Sequence, residues 1–215
     1  MKKNITILLS FLFLSFQTVK AEVGVGITAA MHMFDATGVE FTRTTLEQAN
    51  ASHSEDVTIP EIFIETIFDN GGALGLAYTP VEELGSKSRT DTNTDASEDN
   101  GTYTAEAELE NVIQLYADIP VADVVGQLFY GKLGVQHATV KTTERLNSGS
   151  AYPDVDVMGV TLGIGFKGDL GSNLYYKAEA MHTEFDNYEA TSDGGNRVDV
   201  DFDDTAVKLS IGYKF

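Results

Sequence analysis

Three sets of residues in this chain could do chemistry: four histidines, two acid-rich runs and a series of alternating charges. His32, His53, His137 and His182 could each act as a general base, given a serine to activate and a carboxylate to orient the ring. Asp91-Thr92-Asn93-Thr94-Asp95-Ala96-Ser97-Glu98-Asp99 sets oxygens at alternate positions, as a calcium loop does at its start. It then departs from that pattern, with Ala96 at position six instead of Gly and Thr102 at position twelve instead of Glu. In Asp199-Val200-Asp201-Phe202-Asp203-Asp204, strand alternation would place three carboxylates on one side. The expectation for both runs is a solvated acidic surface, with divalent bridging as the alternative. The third set is Glu61, Glu65, Glu106, Glu108, Glu110, Lys132, Lys177, Glu179, Lys208 and Lys214, whose meaning depends on the elements that carry them.

Those elements are strands. In Asp204–Phe215 the residues Val207, Leu209, Ile211, Tyr213 and Phe215 alternate with Lys208, Ser210, Gly212 and Lys214. Strand side chains change face at every residue, so this is one apolar and one polar face. Near the amino end, Val23, Val25, Ile27, Ala29, Met31 and Met33 oppose Gly24, Gly26, Thr28 and His32. Met158, Val160, Leu162, Ile164 and Phe166 oppose Gly159, Thr161, Gly163, Gly165 and Lys167. Between them, Tyr103, Ala105, Ala107, Leu109, Ile113 and Leu115 are read against Glu106, Glu108, Glu110 and Gln114. Eight such stretches are expected, over roughly 23–35, 59–69, 73–83, 102–118, 124–140, 155–167, 173–186 and 204–215. Short turns are expected at Asp69-Asn70-Gly71-Gly72, at 119–123 and at 168–172, and long polar loops over 36–58, 84–101, 141–154 and 187–203. By these registers His32 falls on the polar face, while His137 and His182 fall on the apolar one, which argues against a shared catalytic site.

Residues 1–21 read as an export signal. Lys2 and Lys3 begin it, Ile5–Phe16 is a short apolar run, and Val19-Lys20-Ala21 offers a small-residue cleavage site. The expected domains are therefore a signal peptide, 1–21, and one folded domain, 22–215. The formal charge is −19, from 33 acidic and 14 basic residues, which disfavours nucleic acid as a partner. There is no cysteine, so no disulfide framework holds the exported domain.

Long alternating strands, short turns on one side, long loops on the other and the terminal Tyr213-Lys214-Phe215 together resemble the small eight-stranded outer-membrane barrels: the OmpA membrane domain, OmpX and the opacity-type proteins. The resemblance implies an all-β fold, an eight-stranded antiparallel transmembrane β-barrel in the bacterial outer membrane with both termini in the periplasm. It implies outer-membrane lipids and lipopolysaccharide as surroundings, and periplasmic chaperones and the barrel-insertion machinery as partners. Tyr213 and Phe215 would be the assembly signal. The His-x-Ser-Asn signature that resemblance to the lipid A deacylases of this architecture would call for is not in the chain.

An eight-stranded barrel is only wide enough for side chains to fill. The charged set above is then a lumen network, structural or gating, and its members must pair because unpaired burial costs several kcal/mol per ion. The expected pairs join Glu106, Glu108 or Glu110 to Lys132, and Glu179 or Lys177 to Lys208. Acids outnumber bases in this set, so any leak should favour cations. Tyr78, Tyr103, Tyr116, Tyr175, Tyr176, Tyr213 and Phe215 are expected in interfacial girdles. The loops hold few aromatics, chiefly Phe41, Tyr152 and Tyr188. The functional expectation is a monomeric, non-enzymatic barrel that presents four mobile acidic loops to a host or surface ligand. A narrow cation-preferring pore is the alternative, and a lipid-modifying enzyme is third. No cofactor is expected.

Overall fold

Alternation of this kind forms a sheet that must close on itself if its apolar face is to meet lipid with no unpaired edge. The computed structural model describes residues 21–43, 48–91, 101–145 and 151–215, and it shows such a closed sheet. Its strands are β1 (Ala21–Phe41), β2 (Gln48–Phe68), β3 (Ala73–Asp91), β4 (Gly101–Val124), β5 (Gln127–Arg145), β6 (Val155–Asp169), β7 (Leu174–Phe185), β8 (Tyr188–Thr191) and β9 (Arg197–Lys214). Each pairs antiparallel with the next around the ring, and β9 returns to β1. The short β8 continues the line of β7 along β9, so the ring has eight staves. The export-signal residues 1–20 lie outside the described residues, as do residues 92–99 of the calcium-like run.

The faces are sorted by what they touch. Outward lie Val25, Ile27, Ile62, Ile64, Leu76, Leu115, Leu162, Ile164, Leu209 and Ile211, all solvent-exposed apolar side chains. On β6 this band runs from Met158 to Phe166, and on β9 from Val207 to Phe215. Both spans match the 9–11 residues with which a tilted strand crosses a bilayer. At the turn end it finishes in an aromatic row. Phe129 meets Phe166 at 5.8 Å, Phe166 meets Tyr176 at 6.3 Å, and Tyr213 meets Phe215 at 4.9 Å between ring centroids. Toward the loops the outward face turns polar at Asp35, Asp56, Glu110, Asp156, Glu184 and Asp203. A closed barrel with such a belt is stable only in a lipid surround.

The strands are longer than their sequence pattern suggested. The 21 residues of β1 extend about 70 Å, far beyond a hydrocarbon core of ~30 Å. The pairing β1–β2 and β1–β9 runs the whole way to Phe41. Much of what read as loop is therefore paired sheet standing above the membrane. The turn between β4 and β5 is also displaced. It lies at Val125-Gly126, where both residues have positive φ, and not at 119–123. Pro120 is tolerated in β4 because β3 has already ended its pairing at Ala73–Asp118, so the missing N–H faces no partner strand.

One irregularity changes the chemistry. Between Glu110 and Ile113 the β4–β5 register slips, leaving Asn111 and Val112 opposite Ala138. Asn111 has φ 55°, a left-handed conformation that asparagine accepts more readily than most residues. This bulge inverts the alternation. Below it Val112, Gln114, Tyr116 and Asp118 point inward; above it Leu109 is inward and Glu106, Glu108 and Glu110 are not.

Candidate functional site

The only enclosed polar chemistry among the described residues is in the lumen, and it is built in two storeys. The storey nearer the turns is charged. Lys177 on β7 places its Nζ 3.0 Å from Glu65 Oε2 on β2, 2.8 Å from Asp118 Oδ2 on β4 and 3.7 Å from Glu179 Oε1. Lys132 on β5 lies 2.8 Å from Asp118 Oδ1 and 2.9 Å from Glu179 Oε1. Three tyrosines complete the carboxylates' shells. Tyr116 and Tyr175 donate to Glu65 at 2.7 and 2.9 Å, and Tyr130 donates to Glu179 at 2.9 Å. The ammoniums also lie over rings, Lys132 being 3.4 Å from the centroid of Tyr116.

Small residues on the inward face make room for these rings. Tyr175 lies across Gly212 and Tyr116 across Gly75, and a Cβ at either glycine would collide with the ring. Gly212 and Gly75 are thus the floor on which the two tyrosines rest.

A second cluster sits higher on the same storey. Lys208 on β9 pairs with Glu61 on β2. His32 on β1 lies between two carboxylates, Nδ1 at 2.8 Å from Asp204 Oδ2 and Nε2 at 3.3 Å from Glu61 Oε1. Gln114 donates to Thr161, which bonds Thr183, and Thr28 bonds Ser210 on the turn side of His32 and Lys208. The space left between Thr28, Glu61, Gln114, Lys177 and Lys208 admits about one water molecule.

Among the described residues the buried ionisable groups are five carboxylates (Glu61, Glu65, Asp118, Glu179, Asp204), four ammoniums (Lys132, Lys167, Lys177, Lys208) and His32. The set is neutral when His32 carries its proton, and in that form both ring nitrogens donate to the carboxylates they face. The excess of acid on this face is smaller than expected, five carboxylates against four ammoniums and His32. Lys167 stands apart. Its Nζ has no hydrogen-bond partner among the described residues, and it lines a cavity of about 270 Å³ at the turn end with Asp69, Asp123, Asp169 and Lys214. There Lys214 is paired with Asp169 at 2.7 Å.

The upper storey is apolar. Phe34, Leu109, Val112, Ala138, Val140, Val157, Phe185, Tyr188, Ala190 and Phe202 fill the lumen as one packed cluster. Phe185 and Phe202 stack at 4.6 Å, and Phe34 stacks on His32 at 5.7 Å, joining the two storeys. Above the cluster the described loop residues are tied down. Tyr152 and Asn196 both donate to Glu40 Oε1, at 2.9 and 3.1 Å. Burial and that carboxylate hold the Tyr152 hydroxyl well above the usual phenol range. Arg43 donates its backbone N–H to Asn196, and Asp193 donates its own to Ala151.

Of the expected lumen charges, Glu61, Glu65, Lys132, Lys177, Glu179 and Lys208 are brought together, while Lys214 lies at the mouth. Glu106, Glu108 and Glu110 are a correction: the Asn111 bulge puts them outside the lumen, and Glu110 pairs with Lys141 at 2.9 Å on the outer face. The expected pairing of Glu106, Glu108 or Glu110 with Lys132 does not form, while Glu179 and Lys208 stand directly opposite each other on β7 and β9. Lys132 takes Asp118 and Glu179, and Lys208 takes Glu61. Asp118, Asp204 and Lys167 were not in the expected set, although Asp118 shares its parity with Gln114 and Asp204 with Lys208. Tyr116 and Tyr175 are buried in the lumen and belong to no girdle. Tyr176, Tyr213 and Phe215 face outward as expected, joined by Phe129 and Phe166. His32 is buried, and His137 and His182 are on the outer face, His182 bonding Thr205 at 3.0 Å. Asp199, Asp201 and Asp203 share that outer face, while Asp204 turns in to His32.

No protein-family model and no curated protein sequence matches the chain. Solved structures do. OprG, an outer membrane protein from Pseudomonas aeruginosa, is 16% identical with a TM-score of 0.52, covering 90% of this chain and 97% of that one. The outer membrane protease OmpT from Escherichia coli is 10% identical with a TM-score of 0.50, covering 94% and 100%. At these identities the likeness is one of fold: the chain is an all-β, eight-stranded antiparallel barrel of the bacterial outer-membrane type.

Proposed function

We propose that this protein is a closed outer-membrane scaffold that holds a rigid, acidic, sheet-built platform above the lipid for contact with surface ligands. The observation that carries this reading is the doubly filled lumen. An ion would have to displace a paired, hydrogen-bonded charge cluster and then an aromatic plug. The strand extensions of β1, β2, β8 and β9 supply the platform, and the Tyr152–Glu40–Asn196 ties give it shape. Phe41 is an exposed aromatic there, whereas Tyr188 is buried in the plug. The outer face above the lipid boundary carries Asp35, Asp56, Glu184, Asp199, Asp201 and Asp203, which suits cationic partners or lipopolysaccharide bridged by divalent ions. Catalysis is not part of the proposal, since His32 is committed to two carboxylates inside while His137 and His182 stand outside. Delivery by periplasmic chaperones and the insertion machinery, with Tyr213 and Phe215 as the signal, completes the reading.

The test is single-channel recording of the refolded protein in planar bilayers. Silence from a barrel shown to be folded by its heat-dependent gel shift is the expected result. Sustained cation-selective openings would overturn the proposal and favour the narrow pore. Unchanged lipid A and phospholipid profiles in a His32→Ala, His182→Ala strain are expected as well, and an altered profile would establish an enzyme.

A further inference from the structure

The hairpin joining β4 and β5 is unlike the other two turns at its end of the barrel. β3 stops pairing with β4 at Asp118, yet β4 and β5 continue together through Pro120–Tyr130 and Ala122–Phe129 to Val124–Gln127. Apart from Asp123, which accepts from the Gly126 N–H and sits on the opposite face from Phe129, the projecting piece is apolar and open to the surroundings: Ile119 is 53% exposed, Val121 75%, Val124 52% and Val125 96%. By contrast the β2–β3 turn is Asp69-Asn70-Gly71-Gly72, and the β6–β7 turn is polar apart from Leu170.

The tip itself is held against preference. Val125 and Gly126 form a two-residue loop with φ of 55° and 77°. That type of loop favours Asn-Gly, because both central residues need positive φ. A β-branched residue there is an outlier, so the position is chosen for the side chain it presents and not for ease of turning.

What covers that side chain follows from continuity. Ile113, Leu115, Ile119 and Val121 extend the lipid-facing surface of β4 without a polar break among their exposed side chains. Ala122 pairs with Phe129, a member of the aromatic row at the membrane boundary. Val125 lies three residues further on, about 10 Å along the strand and less than that in depth once the strand tilt is counted. With strands tilted about 35–45° those 10 Å are ~7–8 Å of depth, which puts the tip at the outer edge of a headgroup layer ~5–7 Å thick.

We propose that the Ile119–Val125 hairpin is a lipid anchor, seated in the headgroup and upper acyl region of the periplasmic leaflet, that fixes the barrel's depth and tilt on this side. The occupant is phospholipid, not a protein partner. The chain contains no tryptophan, so a single introduced one is a clean reporter.

Val124→Trp, which avoids the positive-φ position, is refolded into phosphatidylcholine vesicles brominated either near the glycerol end or near the chain terminus of the acyl chains. The expected result is blue-shifted emission, quenched more by the shallow bromines than by the deep ones and weakly by aqueous acrylamide. Leu162→Trp at mid-membrane and Glu189→Trp above it give the two reference behaviours. Adding Val125→Asn, which suits the turn better, should leave folding intact and reduce the shallow quenching. Acrylamide quenching of the Val124→Trp variant equal to that of the Glu189→Trp variant, with no effect of either bromolipid, overturns the proposal and leaves the tip free for a periplasmic protein. If Val124→Trp does not fold, Val121→Trp carries the same reading.

Discussion

The two storeys of the lumen close the same barrel by opposite means. The lower one closes by charge, with each carboxylate hydrogen-bonded to lysine, histidine or tyrosine from another strand. The upper one closes by apolar packing around Phe185 and Phe202, which needs volume and no partner. A charge cluster is specific because its removal from water is costly unless every member is met. An apolar plug is tolerant because rings and aliphatic chains can settle around one another. The lower storey is therefore the part sensitive to which strands are neighbours, and the upper one the part that tolerates rearrangement.

That contrast is broken most sharply at Lys177, which holds Glu65, Asp118 and Glu179 together. Lys177→Met should cost about 3–5 kcal/mol by leaving buried carboxylates unmatched, read as a lowered urea midpoint of the refolded barrel. A loss below about 1 kcal/mol would mean that the cluster is hydrated and the lower storey is not a seal. In the upper storey, Leu109→Ala should cost about 2–5 kcal/mol, the transfer and cavity cost of a buried leucine. Conductance sharpens the point. Each of these single variants should remain silent in planar bilayers, since the other storey still blocks the path. Lys177→Met combined with Phe185→Ala and Phe202→Ala should leak; openings from either storey's variants alone would show that one seal does all the closing.

The bulge separating the two behaviours offers a smaller test. Asn111→Ala places an ordinary residue at φ 55° and should cost about 1–2 kcal/mol, whereas Asn111→Gly should be close to neutral. If both are neutral by urea titration, the bulge is not held by its backbone conformation.

Asn111 also marks where the sequence stopped being legible. Alternation reads faces correctly along β1, β6 and β9 because those strands keep one register from turn to loop. It fails along β4, where one inserted residue moved Glu106, Glu108 and Glu110 out of the lumen and brought Leu109 in. Nothing in Glu110-Asn111-Val112 signals a bulge except an asparagine, a residue equally at home in a turn. The β4–β5 turn was misplaced for a related reason: Pro120 is a turn signal in water, while Val125-Gly126 has only its glycine. The upper storey was hidden because an inward phenylalanine and a lipid-facing one are the same letter. Only the parity of Phe202 with Asp204, or of Phe34 with His32, tells them apart. The tyrosine-carboxylate contacts were beyond reach, since Tyr116 and Tyr175 near strand ends read as girdle residues until the strands proved longer.

The smallest effect belongs to the platform, where the two modes meet. Tyr152 packs against the apolar cluster with its ring and donates its hydroxyl to Glu40. Tyr152→Phe keeps the packing and removes one hydrogen bond, so global stability should fall by no more than about 0.5–1.5 kcal/mol. The informative change is local. Asn196 still donates to Glu40 at 3.1 Å, but the segment carrying Ala151 and Tyr152 loses its direct tie to β1. Hydrogen exchange should therefore accelerate at Asp193, whose amide is bonded to Ala151, while amides of the β6–β7 ladder stay protected. Equal acceleration at both would mean that the platform and barrel unfold as one unit and that the loop ties have no stability of their own. Acceleration at neither would assign the platform's shape to apolar packing alone, extending the behaviour of the upper storey to the surface.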